Sequence, residues 1–331
     1  MSQYGLSFAG ARVLVTGGLG FIGSNLARRL VELGAEVTLV DSLRPDQGGL
    51  LHNIQGLEDR LALELGDLRD EAVLARVLPG QEVVFNLAGQ TSHLDSMTDP
   101  MTDLELNCRA QLTLLEGLRR LAPEAVVVFA STRQIYGAPD YLPVDETHPL
   151  RPVDINGIHK VAGESYHLLY SRVYGLRATA LRLTNTYGPR MRVKDARQTF
   201  LGLWIRAALE GWPFEVWGGS QLRDYTYVDD TVDALLRAAR TPGLWGGAYN
   251  LSGQPEPVSL LQTAELLAAL SGARFEVKDF PPERRRIDIG DYYANDAAFR
   301  ALTGWAPGVH LREGLQRTLA YFGEHLAHYV P

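Results

Sequence analysis

Arg12-Val13-Leu14-Val15-Thr16-Gly17-Gly18-Leu19-Gly20-Phe21-Ile22-Gly23-Ser24-Asn25-Leu26-Ala27 is the stretch on which the fold turns. A short apolar strand runs into the glycines Gly17, Gly20 and Gly23, spaced three apart, and leaves them as an amphipathic helix that opens with Phe21 and Ile22. Gly17 permits a tight turn, Gly20 lets the backbone approach a pyrophosphate with no Cβ in the way, and Gly23 lets the helix sit close on the strand. Free N–H groups at the helix start, and its partial positive charge, then face the anion. A glycine triplet also serves as a plain structural turn, so its surroundings have to decide. A second strand-like run, Glu36-Val37-Thr38-Leu39-Val40, ends at Asp41 and Ser42, about 20 residues beyond the glycines. A carboxylate there accepts hydrogen bonds from ribose hydroxyls and repels a 2′-phosphate, which points to NAD rather than NADP. Arg44 beside it is the counterweight.

Strand-like runs alternate with helical periodicity through the first half, with strands predicted at 12–16, 36–41, 60–65, 82–88, 125–131 and 177–184. Helices are predicted at 21–33, 70–78, 98–122 and 153–174. The pattern predicts an α/β fold: a Rossmann-type, doubly wound parallel sheet with a smaller C-terminal substrate-binding α/β part. The expected division is a dinucleotide-binding domain over 1–185 with a return segment near 225–253, and a substrate part over 186–224 and 254–331. Ligands in such sheets sit beyond the carboxyl ends of the strands. The pieces there are the glycine loop, Asp41, Asp67-Leu68, Leu87-Ala88-Gly89-Gln90, Ser131-Thr132 and Asn185-Thr186, and all should line one crevice.

Composition narrows the function. The 331 residues are 46% hydrophobic, which excludes a disordered chain, and the formal charge of −7 argues against nucleic acid or an anionic membrane as main partner. The single Cys108 excludes an internal disulfide and fits a reducing cytosol. No leader-like segment and no run of about 20 apolar residues is present, so a cytoplasmic protein is expected. The eight histidines form no HxH or HExxH arrangement, and no metal is expected.

Further stretches recur in order: Gly66-Asp67-Leu68, Asn86-Leu87-Ala88-Gly89, Asn107, Ala130-Ser131-Thr132-Arg133-Gln134-Ile135-Tyr136-Gly137, Lys160 with Ala162-Gly163-Glu164, Arg182 through Arg190, Arg223-Asp224, and Leu302 through Pro307. With the glycine loop they resemble the extended short-chain dehydrogenase/reductase family, in particular its nucleotide-sugar epimerases and dehydratases. The resemblance spans essentially the whole chain. It implies NAD as cofactor and a nucleotide-diphosphate sugar as substrate, oxidised transiently and usually at C4. It also implies a homodimer pairing through two helices each, here 98–122 and 153–174.

That chemistry uses a tyrosine, a lysine four residues later and a Ser/Thr hydroxyl. Thr132 matches the hydroxyl and Lys160 the lysine, which in the family also holds the nicotinamide ribose. The tyrosine is absent, for Asn156 stands four before Lys160. The other two lysines, Lys194 and Lys278, are preceded at that spacing by Arg190 and Arg274, so no Tyr-x-x-x-Lys exists in the chain. An amide orients a hydroxyl without deprotonating it. Substitute bases are His159, His93, Asp95 and Tyr187, or a water held by Asn156 and Lys160. His93 and Asp95 fall where relatives carry residues facing the sugar. His159 should point away from the nicotinamide, its direction differing from that of Lys160 by about 100°.

The resemblance implies that dehydratases of the family follow the threonine with an Asp-Glu or Ser-Glu pair. Here Arg133 and Gln134 follow, which disfavours 4,6-dehydration and leaves C4 epimerisation as the leading expectation. Substrate contacts implied by the resemblance are Gln90, His93, Thr132, Asn185, Arg223 and one of Arg284, Arg285 and Arg286, with Arg285 preferred. The alternatives are a 4,6-dehydratase or reductase of the same family, or a protein that binds NAD and a nucleotide sugar with little turnover.

Overall fold

The structure is a computed structural model and describes residues 7–45, 47–197, 199–253, 256–281 and 288–330. β1 (Arg12–Thr16) leads through the glycine turn into α1 (Phe21–Glu32), and β2 (Glu36–Asp41), β3 (Ala62–Leu65), α2 (Glu71–Val77) and β4 (Val83–Asn86) follow. Next come α3 (His93–Thr98), α4 (Pro100–Leu104), a wide π turn at Glu105–Arg109, α5 (Ala110–Leu121), β5 (Val126–Thr132), α6 (Ile155–Tyr174) and β6 (Arg177–Leu183). The chain then passes through β7 (Asn185–Tyr187), α7 (Phe200–Glu210), β8 (Phe214–Trp217), β9 (Leu222–Arg223), β10 (Tyr225–Tyr227), α8 (Val228–Arg240) and β11 (Ala248–Asn250), the last of which rejoins the central sheet. It continues with β12 (Val258–Ser259), α9 (Leu260–Ser271), β13 (Phe275–Lys278) and helices at Ala297–Thr303 and Leu311–Tyr329.

The central sheet is seven-stranded in the order β11-β6-β5-β4-β1-β2-β3, and every pairing in it is parallel. Its strands are apolar on both faces because both are covered. Val13, Val15, Phe85 and Val128 join one apolar cluster, while Leu14, Val84 and Val127, displaced by one residue, join the other. The direction of winding reverses between β1 and β4, and a crevice opens beyond their carboxyl ends. Short pairs build the smaller part: β7 with β10, β8 with β13, and β9 antiparallel to β12.

The helix expected at 98–122 differs. Pro100 has no N–H to continue a helix and disfavours helical backbone at Asp99, so the chain stops at Asp99 and restarts, with the Asp99 side chain accepting the Thr102 N–H at 3.1 Å. His93 and Asp95, expected in a loop, lie instead on α3, whose start Ser92 caps by accepting the Asp95 N–H at 3.1 Å.

One polar network underlies the crevice. Arg182 on β6 reaches Glu164 on α6 through Nη2 at 2.6 Å and Nε at 3.1 and 3.2 Å, both side chains being buried. Ser131 Oγ donates to the same carboxylate. Arg182 Nη1 donates to the Tyr136 hydroxyl at 2.6 Å, which in turn donates to Asn250 Oδ1 at 2.7 Å. Four elements are thereby tied beneath the end of β5. Among the described residues no helix is long and apolar enough to cross a membrane.

Candidate active site

The glycine loop is cut to the shape of a close-lying ligand and a close-lying helix. Gly17 has φ +65°, and a Cβ on it would stand 3.1 Å from the Ala88 backbone. A Cβ on Gly23 would stand 2.2 Å from the Gly17 carbonyl oxygen, so no larger residue fits there without moving backbone. α1 then starts at Gly20 with no side chain capping its first N–H groups, which leaves these donors for an anion. Thr16 locks the reversal point: its hydroxyl donates to Asn86 Oδ1 at 2.9 Å and accepts the Leu87 and Ala88 N–H groups at 3.1 and 3.2 Å.

Asp41 has a second task that its position in the sequence did not reveal. Its Oδ2 accepts the Leu19 N–H at 3.1 Å and its Oδ1 the Leu43 N–H at 2.9 Å, so the carboxylate braces the glycine loop from the end of β2. Burial pushes this carboxyl up, and the two backbone bonds only partly offset it. Each oxygen keeps a lone pair for a ribose hydroxyl. Asp67 is held by Arg69 at 2.6 and 2.9 Å, a bond that keeps its carboxyl below the usual range against a smaller opposing effect of burial.

At the other end of the cleft the turn after β5 presents Thr132, Arg133 and Gln134. The Thr132 hydroxyl accepts the Gln134 N–H at 3.3 Å, and Arg133 Nη2 donates to Asn185 Oδ1 at 3.3 Å. Lys160 reaches the cleft wall from α6. Its ammonium has the Ala130 carbonyl oxygen at 3.4 Å and the Phe129 ring below it, and burial pushes it down to about 8. Asn156, one turn earlier, spends both amide hydrogens on its neighbours: Nδ2 donates to the Gln90 carbonyl oxygen at 2.8 Å and to Asp103 Oδ2 at 2.9 Å. Asn156 Oδ1 is buried and unpartnered, so what this residue offers a ligand is an acceptor. The π turn brings Asn107 to the same place, where its amide donates to the Gln90 carbonyl oxygen at 3.1 Å and to Asp103 Oδ1 at 3.0 Å.

The cleft wall gathers Gly17, Gly20, Phe21, Ile22, Gly23, Asp41, Ser42, Asp67, Leu68, Leu87, Ala88, Gly89, His93, Thr132, Asn156, Lys160 and Asn185. Gln90 is buried beside the wall and contributes its backbone carbonyl to the Asn156 amide. Arg223 is not on the wall. Its Nη1 donates to the Leu222 and Gly290 carbonyl oxygens at 2.8 and 2.5 Å, and burial pushes its guanidinium down to about 10. Arg284, Arg285 and Arg286 lie outside the described residues. His159 is turned from the cleft to Asp103 Oδ1 at 2.7 Å, and Tyr187 is buried in the apolar core.

Sequence reasoning missed Asp154. This buried carboxylate caps α6, with Oδ1 accepting the Gly157 N–H at 2.7 Å, while Oδ2 meets His93 Nδ1. The Gln134 amide lies 3.0 Å from the same ring nitrogen. The only advance signal was an Asp at the start of the helix predicted over 153–174. The scattered histidines also include a trio, His52, His325 and His328. One ring nitrogen from each lies within 4.8 Å of the others, so the trio, unlike any spacing in the sequence, could hold a metal ion.

The sequence model of the NAD dependent epimerase/dehydratase family matches residues 13–252. The chain belongs to that family. A UDP-glucose 4-epimerase of Mycolicibacterium smegmatis is 33% identical over 315 residues, covering 94% of this chain and 98% of that protein. A dTDP-glucose 4,6-dehydratase of Streptomyces griseus is 31% identical over 329 residues, covering 96% of each. The crystal structure of a UDP-glucose 4-epimerase from Thermotoga maritima, with UDP-glucose, superposes with a TM-score of 0.86 at 31% identity, covering 95% of this chain and 99% of that one. The cofactor of the family is NAD, and the uncapped helix start, the space reserved by Gly17 and Gly23, and the Asp41 carboxylate fit it.

Proposed function

We propose that the chain is an NAD-dependent nucleotide-sugar epimerase that inverts C4 of an NDP-hexose through a transient 4-keto sugar. The observation that carries this reading is the turn after β5. Thr132 faces the cleft there, and Arg133 and Gln134 stand where a dehydratase needs a carboxylic acid and a base, so the site can hold a sugar hydroxyl without the pair that elimination requires.

When bound, NAD supplies a nicotinamide that takes a hydride from the sugar carbon and gives it back. Thr132 holds the sugar hydroxyl. Lys160 holds the nicotinamide ribose and offsets negative charge that develops on the sugar oxygen, and Asn156 orients a hydroxyl through its free Oδ1. Asn185 and His93 contact the sugar, and Gln90 shapes the wall behind it. The apolar side chains Met97 and Met101, with Ile158 and Val173 on α6, are exposed together with Tyr174, and we read them as the homodimer contact.

The test is NMR of UDP-glucose and other NDP-hexoses incubated with the protein and NAD in deuterated water. A galacto-type product free of solvent deuterium is the expected result. Deuterium at C5 or C6 with a 4-keto product would mean dehydration, and no product from any bound sugar would leave a binding protein. A monomeric mass in solution would overturn the dimer.

A further inference from the structure

The family's proton acceptor is missing from α6, yet the helix start that lacks it holds another group in place. Asp154 stands two residues before Asn156 and is fixed from both sides, by the Gly157 N–H on Oδ1 and by the His93 ring on Oδ2. The Asp154 carboxylate is the stronger partner on Nδ1 and puts the proton of the neutral ring there, with the Gln134 side-chain amide turned so that its oxygen faces that proton, which leaves the lone pair on Nε2. Among the described residues Nε2 has no hydrogen-bond partner, and the ring is one-third exposed on the cleft wall. His93 also touches Gln134, whose N–H is held by Thr132, so the imidazole adjoins the turn that presents the sugar-binding hydroxyl.

Asn156, Tyr187 and His159 do not serve. The Asn156 amide has no basic lone pair, and both its hydrogens are spent. Tyr187 is sealed in the core, and burial holds its hydroxyl far above the range in which it ionises. His159 is turned to Asp103.

On this geometry we infer that His93 is the proton acceptor and donor of the reaction and that Asp154 is its positioning residue. The inference rests on the redox reading of the cleft given above. Oxidation of the secondary alcohol releases one hydride from carbon, NAD's share, and one proton from oxygen. The proton passes to the His93 Nε2 lone pair as the C=O bond forms, and the positive charge of the imidazolium is offset by the Asp154 carboxylate. Reduction of the ketone from its other face returns both, so the ring ends neutral and nothing is consumed. The base has moved from the first turn of α6 to α3, across the carboxylate that caps α6.

Nitrogen-15 NMR of the histidine-labelled protein tests this without turnover, with His93→Asn used for assignment. A neutral His93 with Nδ1 protonated, whose Nε2 resonance shifts when UDP-glucose or another NDP-hexose binds, is expected. An Nε2-protonated ring, or an Nε2 signal unmoved by every hexose that binds, would overturn the inference. Turnover gives the second arm. His93→Ala and His93→Asn should each lose about 100-fold or more in kcat. Added imidazole should restore rate to His93→Ala, which a purely structural role would not allow. Turnover of either variant within about threefold of the parent would also refute it. If the parent itself turns over no sugar, the epimerase reading fails, and the Nε2 resonance alone decides whether His93 receives the sugar hydroxyl.

Discussion

Glu164→Gln removes one negative charge from beneath the cleft and leaves the Arg182 guanidinium where it was. In the parent, three Arg182 nitrogen–oxygen contacts of 2.6 to 3.2 Å and the Ser131 hydroxyl converge on that carboxylate. Burial alone would lower the Arg182 guanidinium, and the hydrogen bonds and charge of Glu164 outweigh it and raise it. A glutamine keeps the shape but turns one acceptor into a donor that faces Arg182 or Ser131. Breaking a buried pair by removing one partner costs about 3–5 kcal/mol, because the charge left behind stays desolvated. Against a total stability of about 5–15 kcal/mol this is a large fraction. It corresponds to a fall in Tm of roughly 6–10 °C at about 2 °C per kcal/mol. Urea titration followed by circular dichroism measures the loss, and Glu164→Leu with Arg182→Met completes a double-mutant cycle. The double variant should lose less than the sum of its singles, since no unpaired charge remains. A Glu164→Gln protein within about 1 kcal/mol of the parent, or strict additivity in the cycle, would refute the reasoning.

Asp41→Ala removes both the brace on Leu19 and the ribose acceptor, so NAD should bind about 10- to 100-fold more weakly and the preference over NADP should narrow. Fluorescence titration with each nucleotide checks this, and unchanged NAD affinity would contradict it. Lys160 carries a stability cost whose sign follows from burial. Its ammonium titrates at about 8 in the fold against 10.5 ordinarily, so below pH 8 the full penalty of about 3 kcal/mol is present. Between pH 8 and 10.5 the unfolded chain binds more protons than the fold, and stability from this group rises with pH. Lys160→Met should therefore be the more stable protein at pH 7, and its denaturation profile should lack that rise. Asn156→Tyr should not restore ordinary family chemistry. It strips donors from the Gln90 carbonyl and from Asp103, at a cost of about 1–3 kcal/mol in denaturant titration. A stable, faster enzyme would count against the site as described.

The parts of this protein legible in the sequence are those whose meaning is local. β1, the glycine turn and α1 are contiguous, and Gly20 and Gly23 both answer to the carbonyl of Gly17 in the same loop. Asp41 could be placed on the crevice because strands end where apolar runs end. The break at Asp99-Pro100 was also local and was passed over, because the apolar periodicity of the stretch masked the proline. The pairing of His93 with Asp154 was not legible, since it spans 61 residues and depends on how α3 packs on α6. Arg223 shows the opposite failing. Its residue type suited a diphosphate, but its side chain is taken up by backbone carbonyls around Gly290, which no spacing rule foresees.

The wide turn at Glu105–Arg109 has a consequence for heredity. It is one residue richer than an α-helix needs, and the surplus turns α4 relative to α5 so that Asp103 meets both Asn156 and His159. Loss of a single codon there would keep the reading frame, leave the apolar pattern nearly intact and yield a more regular helix. It would also swing everything upstream by about 100° and carry Asp103 off its partners. A mutation that tidies the secondary structure would thus be read in a genome as harmless, and would take apart the polar wall behind Lys160.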